Sequence, residues 1–280
     1  MLSRIEVPED LPALTYLELT RNPLRDLGFL ERMTNITYLG LAGCGLTRLA
    51  LPPSMNQIKD LSLSGNQLRD LSFLTSLPAL WRLDLAGNGL KDFRPPTPLP
   101  ALQELNLSFN RLLGFDFLPL TPGLTTLVAN GIWPASRVLR LGAEAAGLRQ
   151  VNLYESSATN LIIAPGLAGP LRIMLNELGS LRDFVAPESL RDGGLLVGDP
   201  PSSRYRVTYY PPQPKLTLDP SGNLTLRAYP AAYGYGIESS ADLAEWQEFS
   251  SFTNSRVETA VGRVELPAEL WGQFFRAVAR

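Results

Sequence analysis

Asp60, Arg82 and Glu104 are spaced twenty-two residues apart, and each opens a short polar–apolar alternation: DLS, RLD and ELN. If those segments lie side by side as parallel strands, their side chains form an acid–base–acid row on one sheet face, with Asp84 beside it. Such a row either pairs with itself, worth at most ~1 kcal/mol per exposed pair, or offers Arg82 as a polar anchor for a partner. Two carboxylates near one another also raise the question of glycoside hydrolysis. A guanidinium between them argues against it, because it favours both ionised forms and a general acid must hold its proton. The best binding candidates are the aromatics Tyr16 and Tyr38 at one end, with Phe109, Arg111 and Tyr154 further along, and Asn106 on the same face. Tyrosine and arginine are enriched where interfaces concentrate their energy. Between them Gly40, Ala42, Ser62, Ser64 and Ala86 either admit a partner's backbone or leave a surface that binds nothing.

Composition removes other chemistry. The 280 residues contain no histidine and a single cysteine, Cys44, so His-based nucleophile activation, His-ligated metals, an intrachain disulfide and Cys₄ zinc are all excluded. No cofactor or metal is expected, and no enzyme activity. Neither the net charge of −2 nor either part of the chain has the basic excess that phosphate backbones require, so nucleic acid is a poor partner. No apolar run approaches the ~18 residues of a membrane helix, and MLSRIEVPED has no signal-peptide core.

The elements that would position these residues are repeats. LTYLELTRNPL begins at Leu14, ITYLGLAGCGL at Ile36, IKDLSLSGNQL at Ile58, LWRLDLAGNGL at Leu80 and LQELNLSFNRL at Leu102, a constant step of 22. Each L-x-L core alternates with period two, and no repeat can bury its leucines without neighbours. Of 53 leucines, 46 lie in residues 1–200, which sets this region apart from residues 201–280. Asn22, Asn66, Asn88 and Asn110 recur in the turn after each strand, where a buried amide can satisfy backbone groups of two repeats, and Cys44 takes that place once. The pattern resembles the leucine-rich repeat, and LRDLGFLERM and LRDLSFLTSLPAL look like its 22-residue internalin-type bacterial subclass. The resemblance implies an α/β-type solenoid with strands on a concave, partner-facing side, and it accepts Cys44 as structural.

After Leu112 the pattern wears. The repeats from Leu124, Leu148 and Leu171 put Ile132, Ser156 and Gly179 at the ladder position, so the ladder is expected to break past Asn110. Pro134 to Ala146 reads as a short convex helix with proline in its first turn. LSRIEVPEDLPAL at the start matches the back half of a repeat, LTRLALPPSMNQI, so a fragment with upstream sequence is expected, without a polar cap over Leu2 and Ile5.

The proline-rich stretch 200–214 reads as a linker between a solenoid of about eight repeats over 1–199 and a β-rich module over 215–280. KLTLDPSGNLTLRAY reads as a hairpin, and GYGIESS, EWQEFSSF, RVETAVGRVEL and FFRAVAR as four further strands, suggesting a small all-β antiparallel sandwich. YGIESSADLAEWQEF with FFRAV looks like a module that closes large secreted bacterial proteins, with Trp246 in its core. That resemblance implies an exported chain at the cell surface, in the periplasm or outside the cell. The expectation is a non-enzymatic recognition module whose concave face binds a protein or an envelope component. The alternatives are a passive spacer in a larger surface protein, or an accessory region of an upstream enzyme.

Overall fold

The leucine-rich segments fold as strands of three or four residues because period-two alternation lets one apolar side chain point inward while its neighbours stay wet. The computed structural model describes residues 11–197 apart from 12, 25, 135–136, 164–166, 168–169, 176–180, 182, 188–189 and 191–194, together with the backbone of seven strands beyond 205. The first six strands, β1 Tyr16–Glu18, β2 Tyr38–Gly40, β3 Asp60–Ser62, β4 Arg82–Asp84, β5 Glu104–Asn106 and β6 Thr126–Val128, pair in parallel with a register shift of one repeat each. Then strands alternate between two sheets: β7 Val138–Leu141, β8 Gln150–Asn152, β9 Asn160–Ile163, β10 Leu171–Met174, β11 Asp183–Pro187, β12 Leu195–Val197 and β13 Arg206–Tyr210. β8, β10 and β12 extend the concave sheet to nine strands, one more than the eight repeat cores read from the pattern. The mid-strand residues Leu39, Leu61, Leu83, Leu105, Leu127, Val151 and Ile173 are fully buried. Burying each such side chain contributes roughly 1.5–3 kcal/mol, available only when neighbouring repeats are stacked.

The convex side changes character along the chain. In the early repeats it is built from 3₁₀ turns, Gly28–Arg32, Pro53–Met55, Ser72–Ser76 and Leu118–Leu120, which deliver Leu30, Met55, Phe73, Leu74 and Leu118 to the core. From β7 on it is a second parallel sheet, ordered β13–β11–β9–β7. This corrects the expected helix over 134–146: Val138–Leu141 is a strand with Leu139 and Leu141 buried and Arg140 exposed, followed by one 3₁₀ turn at Ala143–Ala145. It also carries the second sheet into the stretch read as a linker, where β13 pairs with β11 from Asp183↔Arg206 to Pro187↔Tyr210.

The ladder ends one repeat before the second sheet begins. Asn66 Nδ2 donates to the carbonyls of Leu41 and Leu63, both at 2.9 Å, while its Oδ1 accepts the Leu46 N–H at 3.0 Å. Asn88 does the same for Leu63, Leu85 and the Leu68 N–H. Asn110 closes the series by accepting two N–H groups, from Asn88 at 3.1 Å and Leu90 at 2.9 Å. Cys44 supplies only a donor, to Leu19 O at 3.3 Å, and Leu24 N–H turns to Asn22 O instead. Burial pushes the Cys44 thiol pKa up, which disfavours the reactive thiolate. At Ile132 no amide is available, and β7 begins six residues later.

In the last eighty residues β14 Lys215–Leu218 and β15 Asn223–Ala228 pair antiparallel as a hairpin, and β18 Ala260–Glu265 joins β15. A second antiparallel set places β16 Gly234–Ser240 between β17 Gln247–Thr253 and β19 Phe274–Ala279. Leu2 and Ile5, expected without a polar cap, and Trp246, expected in a core, lie outside the described residues.

Candidate functional site

The register of the concave sheet brings Tyr16, Tyr38, Asp60, Arg82 and Glu104 onto five consecutive strands as direct neighbours. At one end Tyr16 and Tyr38 stack face to face, ring centroids 4.2 Å apart and 6° from parallel. Tyr38 Oη donates to Glu18 Oε2 at 2.8 Å, and the Thr20 N–H donates to Glu18 Oε1 at 2.8 Å. The carboxylate lies over Gly40, where a Cβ would collide with it, so the glycine admits the contact. Partial burial works against Glu18's charge, but the hydrogen bonds from Thr20 and Tyr38 outweigh it and hold its pKa below the usual range. Burial and the same carboxylate push the Tyr38 phenol pKa up, so it remains a donor at any physiological pH.

Arg82 stands between its two acids, 4.0 Å from Asp60 Oδ2 and 3.6 Å from Glu104 Oε2, with its side chain 53 % exposed. Both separations exceed the ~2.7–2.9 Å of a tight charge-assisted bond. The guanidinium is shared loosely rather than clamped. Burial raises the pKa of the Asp60 carboxyl, Arg82 lowers it, and Glu104 and Asp84 raise it, for a net upward direction. Asp60 and Glu104 are two strand spacings apart, roughly 10 Å, with Arg82 in between.

In three repeats the fifth position serves the turn immediately after its strand. Asp84 Oδ1 accepts the Ala86 N–H at 3.0 Å and Asn106 Oδ1 accepts the Ser108 N–H at 3.1 Å, as Glu18 does for Thr20. Tyr154 is half-buried, its N–H bonded to Asn130 Oδ1 at 2.9 Å. Phe109 and Arg111 do not join the row. They lie on the turn after β5, where Phe109 has φ +56° and is 60 % exposed.

Three side chains are absent from the sequence-derived set. Glu18 occupies a wet strand position like the others, but its bond to Tyr38 depends on the missing Cβ of Gly40. Trp81 and Trp133 are 40 % and 67 % exposed, an unusual setting for tryptophan that no pattern of leucines reveals. Among the described residues no group of three or more His, Cys, Asp or Glu side chains could hold a metal ion, and no helix is long and apolar enough to cross a membrane. The row can form ion pairs, hydrogen bonds and aromatic contacts on an open surface.

The Leucine Rich Repeat family profile matches residues 101–122, the repeat that carries Glu104, Asn106 and Asn110. No curated protein matches the chain significantly. Among solved structures, an internalin, InlF, from Listeria monocytogenes is similar at 18% identity and TM-score 0.45, over 70% of this chain. This chain spans 60% of that protein's length. Internalin C2 from the same organism gives 20% identity and TM-score 0.44, over 70% of this chain and 80% of its own. The leucine-rich repeat domain of APL1 gives 15% and 0.40, over 71% of this chain and 72% of its own.

Proposed function

We propose that this chain is a non-enzymatic recognition module whose concave sheet binds another protein, with an exposed component of a cell envelope as the related target. The observation that carries this is the Tyr16–Tyr38 stack, locked by Glu18 and continuous in register with Asp60, Arg82 and Glu104. Those rings are held in place before any partner arrives, so little side-chain freedom remains to be lost on binding. A half-exposed arginine with loose internal pairs can exchange them for a partner's carboxylate or carbonyl. The residues assigned to this surface are Tyr16, Tyr38, Asp60, Arg82, Asp84, Glu104 and Asn106, with Tyr154 beyond the centre. The secreted-module resemblance of residues 215–280, including packing of its two sheets as a sandwich, supports an exported bacterial surface or extracellular protein.

The rival reading is a spacer without a dedicated ligand, and the sharing of Arg82 by two carboxylates favours it, since a salt row can be complete in itself. Affinity capture from the envelope and medium of the source cells separates the two. The intact chain is run beside Tyr38→Ala and Arg82→Glu variants of unchanged thermal midpoint. A protein retained by the first and lost by the variants supports recognition. Equally empty lanes from folded proteins establish the spacer.

A further inference from the structure

We infer that the flank of the fifth and sixth repeats, away from the concave row, is a second docking surface for an extended acidic protein segment carrying an apolar side chain. The eighth residue of every repeat from Leu14 to Leu148 has positive φ: Arg21, Gly43, Gly65, Gly87, Phe109, Gly131 and Glu155, between 55° and 66°. Four are glycine, the residue that adopts this conformation without strain. Phe109 is a bulky aromatic at φ +56°, and it stays 60 % exposed, so burial gives no compensation in proportion to its size. A residue kept against its backbone preference and not buried is reason to look for a role outside folding.

The neighbourhood is built around that ring. A Cβ at Gly131 would strike it, so the ring lies on a glycine one repeat away and is fixed there. Two positions further along each repeat stand Arg111 and Trp133, the latter 67 % exposed, and then Leu113 at 57 %. Three of the five large exposed apolar side chains among the described residues thus belong to two consecutive repeats, with Leu113 on a pocket beside Arg94 and Phe117. Singly exposed apolar residues are ordinary, but several on consecutive repeats give reason to look for a binding surface. Leu113 favours a peptide over a sugar, because an aliphatic side chain offers no flat platform for a pyranose ring.

Basic side chains follow one another along this flank. In the preceding repeats the same positions are Gly43, Gly45 and Thr47, then Gly65, Gln67 and Arg69, then Gly87, Gly89 and Lys91. Thr47, Gln67, Arg69, Gly87 and Gly89 line an open channel of about 440 Å³. Arg69 lines it, Lys91 and Arg111 are exposed on the next two repeats, and no ion pair engages the three among the described residues. Of the nearby acids, Asp70 accepts the Ser72 N–H at 2.8 Å and Asp92 holds Arg94 at 2.9 Å, while Asp92 and Asp116 share a pocket with Leu113. Glu155 lies beyond Trp133, at the far end. A segment with carboxylates over Arg69, Lys91 and Arg111 and an apolar side chain between Phe109, Leu113 and Trp133 matches both features.

The test pans a random dodecapeptide display library over the intact immobilised chain, then measures one synthetic consensus peptide. The expected consensus places an aromatic or aliphatic residue beside Asp or Glu. Its affinity should fall at least tenfold on Phe109→Gly/Trp133→Ala and several-fold on Arg111→Glu, and weaken with added salt. Phe109→Gly alone should keep or raise the thermal midpoint. Binding unchanged on Tyr38→Ala/Arg82→Glu would hold this surface apart from the concave reading, whose failure leaves it standing. A basic consensus, no consensus, equal binding by the Phe109→Gly/Trp133→Ala chain, or binding lost on the concave variant would overturn the proposal. So would a lowered midpoint for Phe109→Gly, which makes the ring a packing element, or retention on polysaccharide gels lost in the double variant without peptide binding.

Discussion

Replacing ladder asparagines by alanine should produce an unequal series, with Asn110→Ala the most damaging. Asn110 Oδ1 accepts two buried N–H groups, Asn88 at 3.1 Å and Leu90 at 2.9 Å, whereas Asn66 and Asn88 each serve one cross-repeat N–H, from Leu46 and Leu68. On the donor side, alanine at 110 removes bonds to Leu85, Leu107 and Ser108 carbonyls. Leu85 O keeps the Asn88 amide and Ser108 O keeps the Gly87 N–H, so these losses are partly covered. Each stranded buried donor costs about 1–3 kcal/mol. With partial relaxation that gives roughly 2–4 kcal/mol for Asn110→Ala and about 1–2 kcal/mol for Asn66→Ala or Asn88→Ala. Asn66→Cys should fall below Asn66→Ala, since Cys44 shows that a thiol can retain the donor bond. Urea unfolding followed by far-UV circular dichroism reads the series as midpoint shifts at constant slope. Hydrogen exchange of the Asn88 and Leu90 amides should accelerate specifically in Asn110→Ala. An Asn110→Ala chain no less stable than Asn66→Ala, with those amides still protected, would refute the accounting.

Two other perturbations test the local geometry. Gly131→Ala should cost about 1–3 kcal/mol, because it combines φ +60° with a Cβ inside the Phe109 ring; adding Phe109→Gly should recover the steric part, read as a rise in thermal midpoint over the single variant. Asp60→Asn should be neutral to slightly stabilising near pH 7, by no more than about 1 kcal/mol. The sign comes from the raised carboxyl pKa: the folded state binds this proton more tightly, so the native chain loses stability as pH rises from the ordinary aspartate range through the raised value. Thermal midpoints from pH 3 to 8 should show the asparagine variant's advantage disappearing at the acid end, and an advantage that persists there refutes the assignment.

The repeat period of 22 and the L-x-L alternation were enough to place β1–β6 and their register, because each strand's inward residue is dictated locally and each repeat copies the last. The same arithmetic marks the left-handed position, since glycine recurs there at 43, 65, 87 and 131. Where repetition stops, sequence reading weakens. VLRL in 138–141 sits in a stretch whose apolar spacing suits either a helix or a strand, and only pairing with Asn160–Ile163, some twenty residues away, selects the strand.

The candidate site divides the same way. That Tyr16, Tyr38, Asp60, Arg82 and Glu104 share a row is a consequence of position in the repeat. That Tyr38 binds Glu18, that Arg82 reaches both acids only loosely, and that Asp60 gains a raised pKa depend on rotamers and burial set by three or four repeats together. Phe109 fits the repeat numbering but not its glycine, and only the folded chain shows its ring on Gly131 beside Trp133. Strand order is a property of period, whereas side-chain partners and exposure are decided by contacts between repeats, which exist only once the stack has formed.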